Sequence, residues 1–157
     1  MDNNYLYQQL IGHGCIKKGL FILKNGESSD YYIDIKSVIS YPHLVKYIGD
    51  QLYELLDEFD VICGIPYGAL PIASYISTTY NKPLIYVRDK VKGYGTQKLI
   101  EGNYKPEDRC AIIDDVLTTG GSLEKEYNIL SSELNIVDTA VVVNRSKDYE
   151  VKSLIRI

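Results

Sequence analysis

Two adjacent carboxylates, Asp114 and Asp115, lie between a short apolar run and a loop of small and hydroxyl-bearing residues. The apolar run, residues 110–113, predicts a buried strand that ends where the carboxylates begin. The loop that follows consists of Thr118, Thr119, Gly120, Gly121 and Ser122. Glycines let the backbone approach an anion closely, and a helix starting here would add unpaired N–H groups and a positive dipole end. The segment therefore predicts a phosphate-binding loop.

The acid pair needs a role of its own, because two carboxylates beside a phosphate would otherwise repel it. The neighbouring 2- and 3-hydroxyls of a ribose are donors that carboxylates accept well. No lysine follows Gly121, so the loop is not the nucleotide P-loop. The pattern favours a sugar phosphate, with the acids on the hydroxyls and the loop on the 5-phosphate. The alternative is a strand–turn–helix in which the acid pair only caps and solvates a turn.

Strand-like and helix-like segments alternate along the chain, which predicts a mainly parallel sheet covered by helices on both faces. Strands are predicted at 61–65, 84–88, 109–113, 139–143 and 151–157, and a hairpin around Asn25 and Gly26. Helices are predicted at 5–11, from Pro42 along an apolar stripe to Phe59, at 69–79 and at 123–134, the last with Leu123, Tyr127, Leu130 and Leu134 on one face. Ligands of such sheets bind beyond the carboxyl ends of the strands. The segments after Ile65, Arg88 and Ile113 all fall at such ends.

Composition limits the class of protein. The 157 residues fit one domain, and a net charge of −4 implies no broad basic surface for nucleic acid. The three cysteines lack C-x-x-C spacing, so we expect buried thiols in a reducing compartment. The amino terminus lacks the apolar core of a signal peptide, and no run reaches the length of a membrane span. We expect a cytoplasmic protein that binds neither nucleic acid nor a membrane.

The acid-pair segment resembles the ribose-phosphate signature of the type I phosphoribosyltransferases, which use 5-phosphoribosyl-1-pyrophosphate (PRPP) to attach ribose phosphate to a base. Three further segments are similar to orotate phosphoribosyltransferase, and especially to the amino-terminal domain of eukaryotic uridine monophosphate synthase. These segments read FILKNGESSDYYID at 21–34, CGIPYGALPIA at 63–73 and RDKVKGYGTQKLIEG at 88–102. The resemblance implies the type I phosphoribosyltransferase fold over 1–157, with a small hood at 1–40, a core at 41–157 and a mobile loop at 89–104.

The same resemblance implies where PRPP binds. The backbone amides of Tyr67 and Gly68 would hold the leaving pyrophosphate, after a cis peptide bond between Pro66 and Tyr67. The other implied PRPP contacts are Lys24, Arg88, Lys92, Tyr94, Asp114, Asp115, Thr118, Thr119, Gly120, Gly121 and Ser122. The resemblance makes Lys92, Asp114 and Asp115 the catalytic candidates.

The implied contacts of orotate are Lys24, Tyr31, Tyr32, Thr118 and Arg145. An aromatic face suits stacking on a flat base, and a planar guanidinium suits its carboxyl-imide edge. Without the resemblance, a lone Lys24 would be read as a surface lysine and the tyrosine pair as hairpin core.

The sequence departs from the family pattern at a few positions. Asp89 stands where the family usually has lysine, which would put a carboxylate beside the pyrophosphate unless Lys90 compensates. Asn144 stands where the family usually has aspartate, and Gly68 where bacterial relatives have lysine. The chain is also expected to end before the family's closing helix.

The resemblance therefore implies that orotate and PRPP are converted to orotidine 5-phosphate and pyrophosphate, a step of pyrimidine biosynthesis. It implies Mg²⁺ as cofactor, held mainly through PRPP and water without a direct protein ligand. It also implies a homodimer that shares the loop 89–104 across its interface. The alternatives are a phosphoribosyltransferase for another base and a non-catalytic PRPP-sensing regulatory protein.

Overall fold

The computed structural model describes residues 3–22, 26, 28–89 and 98–157. The first part of the chain forms helix α1 (Asn3–Gly12), strands β1 (Ile16–Ile22) and β2 (Ser28–Ile33), a 3-10 helix (Ile35–Ser40) and helix α2 (Pro42–Leu55). Strand β3 (Val61–Gly64), helix α3 (Leu70–Tyr80) and strands β4 (Leu84–Val87) and β5 (Ile100–Glu101) follow. The remainder is β6 (Arg109–Leu117), α4 (Gly121–Leu130), β7 (Asn135–Asn144) and β8 (Lys152–Arg156).

A six-stranded sheet with the order β5-β4-β3-β6-β7-β8 forms the centre of the molecule. Strands β4, β3, β6, β7 and β8 are parallel, and only β5 pairs in the antiparallel sense, at the β4 edge. The predicted α/β class with a mainly parallel central sheet is therefore confirmed.

Each face of this sheet has its own apolar core. Side chains that alternate along a strand point to opposite faces, and β3 divides accordingly: Ile62 belongs to the core under α2 and α3, and Cys63 to the core under α4. On β6, Ile113 faces α2 and α3 while Ile112 faces α4. This alternation explains why the predicted central strands read as continuous apolar runs.

The amino-terminal hairpin lies outside the main sheet. Strands β1 and β2 pair antiparallel from Ile16 opposite Ile33 to Ile22 opposite Ser28, with an irregularity between Lys18 and Phe21. The predicted hairpin is therefore confirmed. Whether residues 1–40 act as a hood over the site stays a prediction.

All three cysteines are free and buried. Cys63 and Cys110 lie in the core under α4, where burial raises the pKa of both thiols, that of Cys110 to about 12. Cys15 lies in the other core and accepts a hydrogen bond from the Ser37 hydroxyl at 3.3 Å. The expectation of buried thiols is confirmed.

Two element boundaries differ clearly from the sequence prediction. Strand β6 does not end at Ile113 but runs through both aspartates to Leu117, because β7 stays paired beside it as far as Asn144. Helix α2 ends at Leu55, before the predicted end of its apolar stripe.

None of the helices among the described residues combines the length and apolar character that a bilayer span requires.

The sequence predicts a loop over 89–104, but part of this segment forms the short strand β5, which corrects the prediction. In β5, Ile100 is buried and pairs with Val87, and the Arg88 N–H donates to the Leu99 carbonyl at 2.8 Å. Residues 90–97, the centre of the expected loop, lie outside the described residues.

Helix α4 presents a different face to the sheet from the one predicted. It begins at Gly121 and ends at Leu130, so Leu134 is buried after the helix, not within it. Tyr127, predicted on the apolar face, is 47% exposed, and Glu126 is buried in its place.

Candidate active site

The carboxyl ends of four neighbouring parallel strands meet at one edge of the sheet, and a candidate segment follows each of them. Pro66, Tyr67 and Gly68 come after β3, and Arg88 comes after β4. The phosphate-loop segment 118–122 comes after β6, and Arg145 comes after β7. The sequence-predicted segments are therefore brought together where ligands of open parallel sheets bind.

The acid pair lies near the carboxyl end of β6, in the part of the strand that pairs with β7. Asp114 is 6% exposed and accepts a hydrogen bond from the Asp115 N–H at 2.8 Å. Asp115 is half-buried and accepts one from the Val116 N–H at 2.9 Å. Burial, and then the neighbouring charge of Asp115, raise the pKa of the Asp114 carboxyl to about 7.

Gly68 packs directly against this acid pair. A Cβ at position 68 would lie 2.0 Å from Asp115 Oδ2 and 2.4 Å from its Cγ, so only glycine lets the loop after β3 approach the carboxylate this closely. The expected cis peptide bond between Pro66 and Tyr67 is present just before it. The loop after β3 and the acid pair on β6 thus form one continuous surface.

The phosphate-loop segment has the geometry that its sequence predicts. Gly120 adopts the left-handed conformation with φ of 83°, and α4 begins at the next residue. The loop encloses a small cleft of about 30 Å³. The cleft is lined by Asp114, Val116, Leu117, Thr118, Thr119, Gly120, Gly121, Ser122 and Leu123. The helix start and the hydroxyls around this cleft suit a small anion such as a phosphate.

The ring of Tyr149 covers the back of this loop, a contact that the sequence did not reveal. A Cβ at Gly120 would lie 2.6 Å from the Tyr149 ring. The Tyr149 hydroxyl donates a hydrogen bond to Glu124 on α4. Gly120 is therefore required both for its positive φ and for this close packing.

A second, larger cavity of about 340 Å³ opens between the ends of β3 and β4. Its walls are Pro66, Tyr67, Tyr86, Val87, Arg88 and Asp89. Arg88 Nη1 pairs with Glu101 Oε1 of β5 at 3.3 Å. Asp89 Oδ1 lies 3.7 Å from Lys125 Nζ of α4, so this departure from the family pattern has a cationic partner in the chain itself. The cavity is large enough for a pyrophosphate group.

On the other side of the acid pair, Arg145 joins the sheet to the hairpin. Its N–H donates to the Leu117 carbonyl at 2.9 Å, and its Nη2 donates to the Ser29 hydroxyl at 2.8 Å. The two tyrosines of β2 differ in environment. Tyr31 packs against the core, whereas Tyr32 is 47% exposed and lies near Phe21, with ring centroids 5.7 Å apart.

Asn144, the other departure from the family pattern, fixes the turn that follows β7. Its side-chain Nδ2 donates to the Tyr149 carbonyl at 3.1 Å, and its Oδ1 accepts from the Ser146 N–H at 2.8 Å. A carboxylate could accept the second bond but could not donate the first. The amide therefore supports both Arg145, its neighbour in the chain, and the Tyr149 ring behind the phosphate loop.

Three predicted site residues, Lys24, Lys92 and Tyr94, lie outside the described residues. Sequence reasoning missed Ser29, Tyr149 and Glu126. Only Glu126 carried a usable signal, because it stands three residues after Leu123 and four before Leu130, on the buried face of α4.

Comparison with known proteins identifies the family of this chain. A family model described as a phosphoribosyl transferase domain matches residues 35–155, so the chain belongs to the phosphoribosyltransferase family. The orotate phosphoribosyltransferase of Pyrococcus abyssi is 44% identical over 147 residues, which cover 90% of this chain and 81% of the relative. The resemblance to orotate phosphoribosyltransferase inferred from the sequence is thereby confirmed.

Solved structures point the same way. The UMP synthase of Leishmania donovani superposes with a TM-score of 0.85 at 34% identity, covering all of this chain and 37% of that one. The orotate phosphoribosyltransferase of Aeropyrum pernix superposes with a TM-score of 0.81 at 28% identity, covering 97% and 93%.

Proposed function

We propose that this chain is an orotate phosphoribosyltransferase, a pentosyl-transferring enzyme that converts orotate and PRPP to orotidine 5-phosphate and pyrophosphate. The observation that carries the proposal is the acid pair, Asp114 and Asp115. Asp114 lines the cleft of the phosphate loop, and the pair lies on the same sheet edge as Arg145 and the cavity between β3 and β4. These features follow the order of the groups they would bind. The phosphate loop would hold the 5-phosphate and the acid pair would hold the ribose. The cavity and Arg145, on the two sides of the acid pair, would hold the pyrophosphate and the base.

The ribose phosphate is held by β6 and the loop that follows it. The 5-phosphate binds at the start of α4, where Thr118, Thr119 and Ser122 offer hydroxyls and Gly120 and Gly121 allow close backbone approach. The carboxylates of Asp114 and Asp115 accept hydrogen bonds from the 2- and 3-hydroxyls. They also stabilise the positive charge that develops on the ribose ring as the bond to pyrophosphate weakens.

The pyrophosphate binds in the cavity between β3 and β4. The amides of Tyr67 and Gly68 and the guanidinium of Arg88 supply donors for its oxygens. The predicted roles of Lys92 and Tyr94 at the pyrophosphate belong to the same proposal. Catalysis by such a site is positioning and charge stabilisation, and no side chain forms a covalent bond to the substrate.

Orotate binds on the Arg145 side. Arg145 already donates to Ser29, and its remaining guanidinium N–H groups suit the planar carboxyl-imide edge of the base. Since Tyr31 packs against the core, Tyr32 is the better placed of the pair to stack on the base. Lys24 and Thr118 complete the proposed contacts of orotate.

Mg²⁺ is the proposed cofactor. Among residues 3–22, 26, 28–89 and 98–157, no three His, Cys, Asp or Glu side chains gather as a metal site. We propose an ion held mainly by oxygens of PRPP and by water, since magnesium keeps several waters and binds readily to substrate phosphates. When bound, the ion would neutralise charge on the departing pyrophosphate.

The proposal extends to assembly and location. We propose a single phosphoribosyltransferase domain over 1–157, a homodimer that shares the loop 89–104, and a cytoplasmic location.

The test is the loss of ultraviolet absorbance of orotate when the protein, PRPP and Mg²⁺ are mixed. We expect loss with orotate and none in parallel reactions that contain uracil, adenine, guanine or hypoxanthine. Turnover of one of the other bases without orotate would contradict the substrate assignment. PRPP binding without turnover of any base would instead support a regulatory protein that keeps the fold.

A further inference from the structure

Glu126 is a buried acidic side chain that the proposed reaction does not use. It is 4% exposed, and its Oε2 has no hydrogen-bond partner among the described residues. A buried carboxyl without a partner is costly to ionise, and such a group in a folded protein calls for an explanation. A glutamine or a small apolar residue at this position would avoid the cost of ionising a buried carboxyl.

The surroundings of Glu126 connect it to the ribose site. Helix α4 places it between Leu123 and Leu130, and both leucines pack in the core that contains Ile112 of β6. Asp114 lies two residues after Ile112, so its side chain points to the same face of the sheet. Glu126 and Asp114 therefore face the same buried layer, from the helix and from the strand.

Among the described residues, few other ionisable groups enter this layer, and Cys110 of β6 is one of them. Strand β3 contributes the thiol of Cys63, β7 contributes apolar Val141, and Asp89 lies at the end of β4. The Lys125 ammonium, on α4 itself, is paired with Asp89. Burial is the largest cause that raises the pKa of Glu126 to about 7; the Lys125 charge opposes this rise and the Asp89 charge adds to it. The charge of Glu126 in turn contributes to the raised pKa of Asp114.

We propose that Glu126 is a positioning residue of the ribose site: from within the core it acts on the charge of Asp114, and so sets the pH range in which that carboxylate can accept hydrogen bonds from the ribose hydroxyls. This inference rests on the proposed function only for the role of Asp114. The electrostatic link between the two side chains is a property of the free protein.

The sign of the effect follows from like-charge repulsion. An ionised Glu126 disfavours a second negative charge on Asp114, so Asp114 holds its proton to higher pH. Removal of the Glu126 charge therefore lowers the pKa of Asp114. The acidic limb of the pH profile, over which Asp114 gains its charge, then moves to lower pH.

The experiment uses Glu126→Gln, which keeps the shape and removes the charge, and Glu126→Met, which removes the charge with an apolar chain. Glu107→Gln, at an exposed position, is the matched control. The profile of kcat/KM for PRPP is measured from pH 5.5 to 9. The titration of Asp114 in the free protein is followed by carbon NMR of its side-chain carboxyl, which Asp114→Asn assigns.

We expect both Glu126 variants to move the midpoint of the acidic limb and the Asp114 titration down by at most about half a unit, because Glu126 is one of several causes and is only partly ionised near pH 7. Glu126→Gln would then be up to about 1.5-fold more active than the wild type at pH 7. An unchanged Asp114 titration in both folded variants overturns the inference, as does an equal shift in Glu107→Gln. If the NMR midpoint shifts while neither wild type nor variant turns over orotate, the electrostatic link holds and the proposed function fails.

Discussion

The substitution Gly68→Ala is the sharpest test of how the acid pair works, because the single added carbon would clash with the Asp115 carboxylate. In Gly68→Ala, the new Cβ would lie 2.0 Å from Asp115 Oδ2, whereas real Cβ atoms do not come closer than 3.0 Å to such a neighbour. The carboxylate must therefore move by about 1 Å or more, which also disturbs the hydrogen bond that it accepts from the Val116 N–H at 2.9 Å. Folding should survive, because the clash is with the end of a side chain at the sheet edge.

A displacement of about 1 Å in a positioning group can cost on the order of 100-fold in rate. We expect kcat/KM for PRPP in Gly68→Ala to fall by roughly 10- to 100-fold, with the free energy of unfolding within about 1 kcal/mol of the wild type. Steady-state kinetics and urea unfolding measure the two quantities. Gly12→Ala is the control, since a Cβ at that position meets nothing within 4 Å.

A double-mutant cycle shows whether the loss passes through Asp115. In Asp115→Ala the oxygen atoms that meet the new Cβ are gone, so the further addition of Gly68→Ala should cost little. Wild-type activity in Gly68→Ala would refute the reasoning. So would an equal loss from Gly68→Ala in the presence and absence of the Asp115 carboxylate.

Four further predictions follow from the same site. Asn at Asp114 or at Asp115 should leave the fold intact and lower kcat by about tenfold to a thousandfold. Normal kinetics in both folded variants would mean that the acid pair only caps and solvates a turn. Because the raised pKa of Asp114 is about 7, wild-type kcat/KM should rise with pH through that value, and Asp114→Asn should lack this limb. Inactive Lys92→Ala and inactive Asp115→Asn should regain some activity when mixed, because a mixed dimer that shares its loops has one site free of both defects; no recovery after proven subunit exchange would contradict the shared loop. Asp89→Lys should lower the KM for PRPP, more at low salt than at high salt, and an unchanged KM at low salt would mean that position 89 acts only on Lys125.

The parts of this fold that the sequence predicts well are those whose signal is local. The apolar run before Asp114 and the glycines after Thr119 define a strand, a loop and a helix start without reference to the rest of the chain. The order of strands and helices then brings the segments after β3, β4 and β6 to one edge, because parallel strands in one sheet end on the same side.

The parts that sequence reasoning missed depend on contacts between distant segments. Strand β5 has only two residues, too few for periodicity, and it exists because Ile100 pairs with Val87. On α4, Glu126 and Tyr127 are both close to the face that Leu123 and Leu130 define, and hydrophobicity alone favours the tyrosine. The sheet packs against the side of this face that carries Glu126, so the glutamate is buried and the tyrosine is exposed. The bond between Arg145 and Ser29 joins residues 116 positions apart and leaves no local trace.

The three buried cysteines make the protein convenient for labelling. A maleimide reacts with an exposed thiolate, whereas burial raises the pKa of Cys63 and Cys110 and all three sulfur atoms lie in the two cores. A single cysteine placed at the exposed position of Glu107 should therefore take up one fluorophore per folded chain without prior removal of the native thiols. Two batches labelled with donor and acceptor dyes would then report subunit exchange by energy transfer, independently of any catalytic readout.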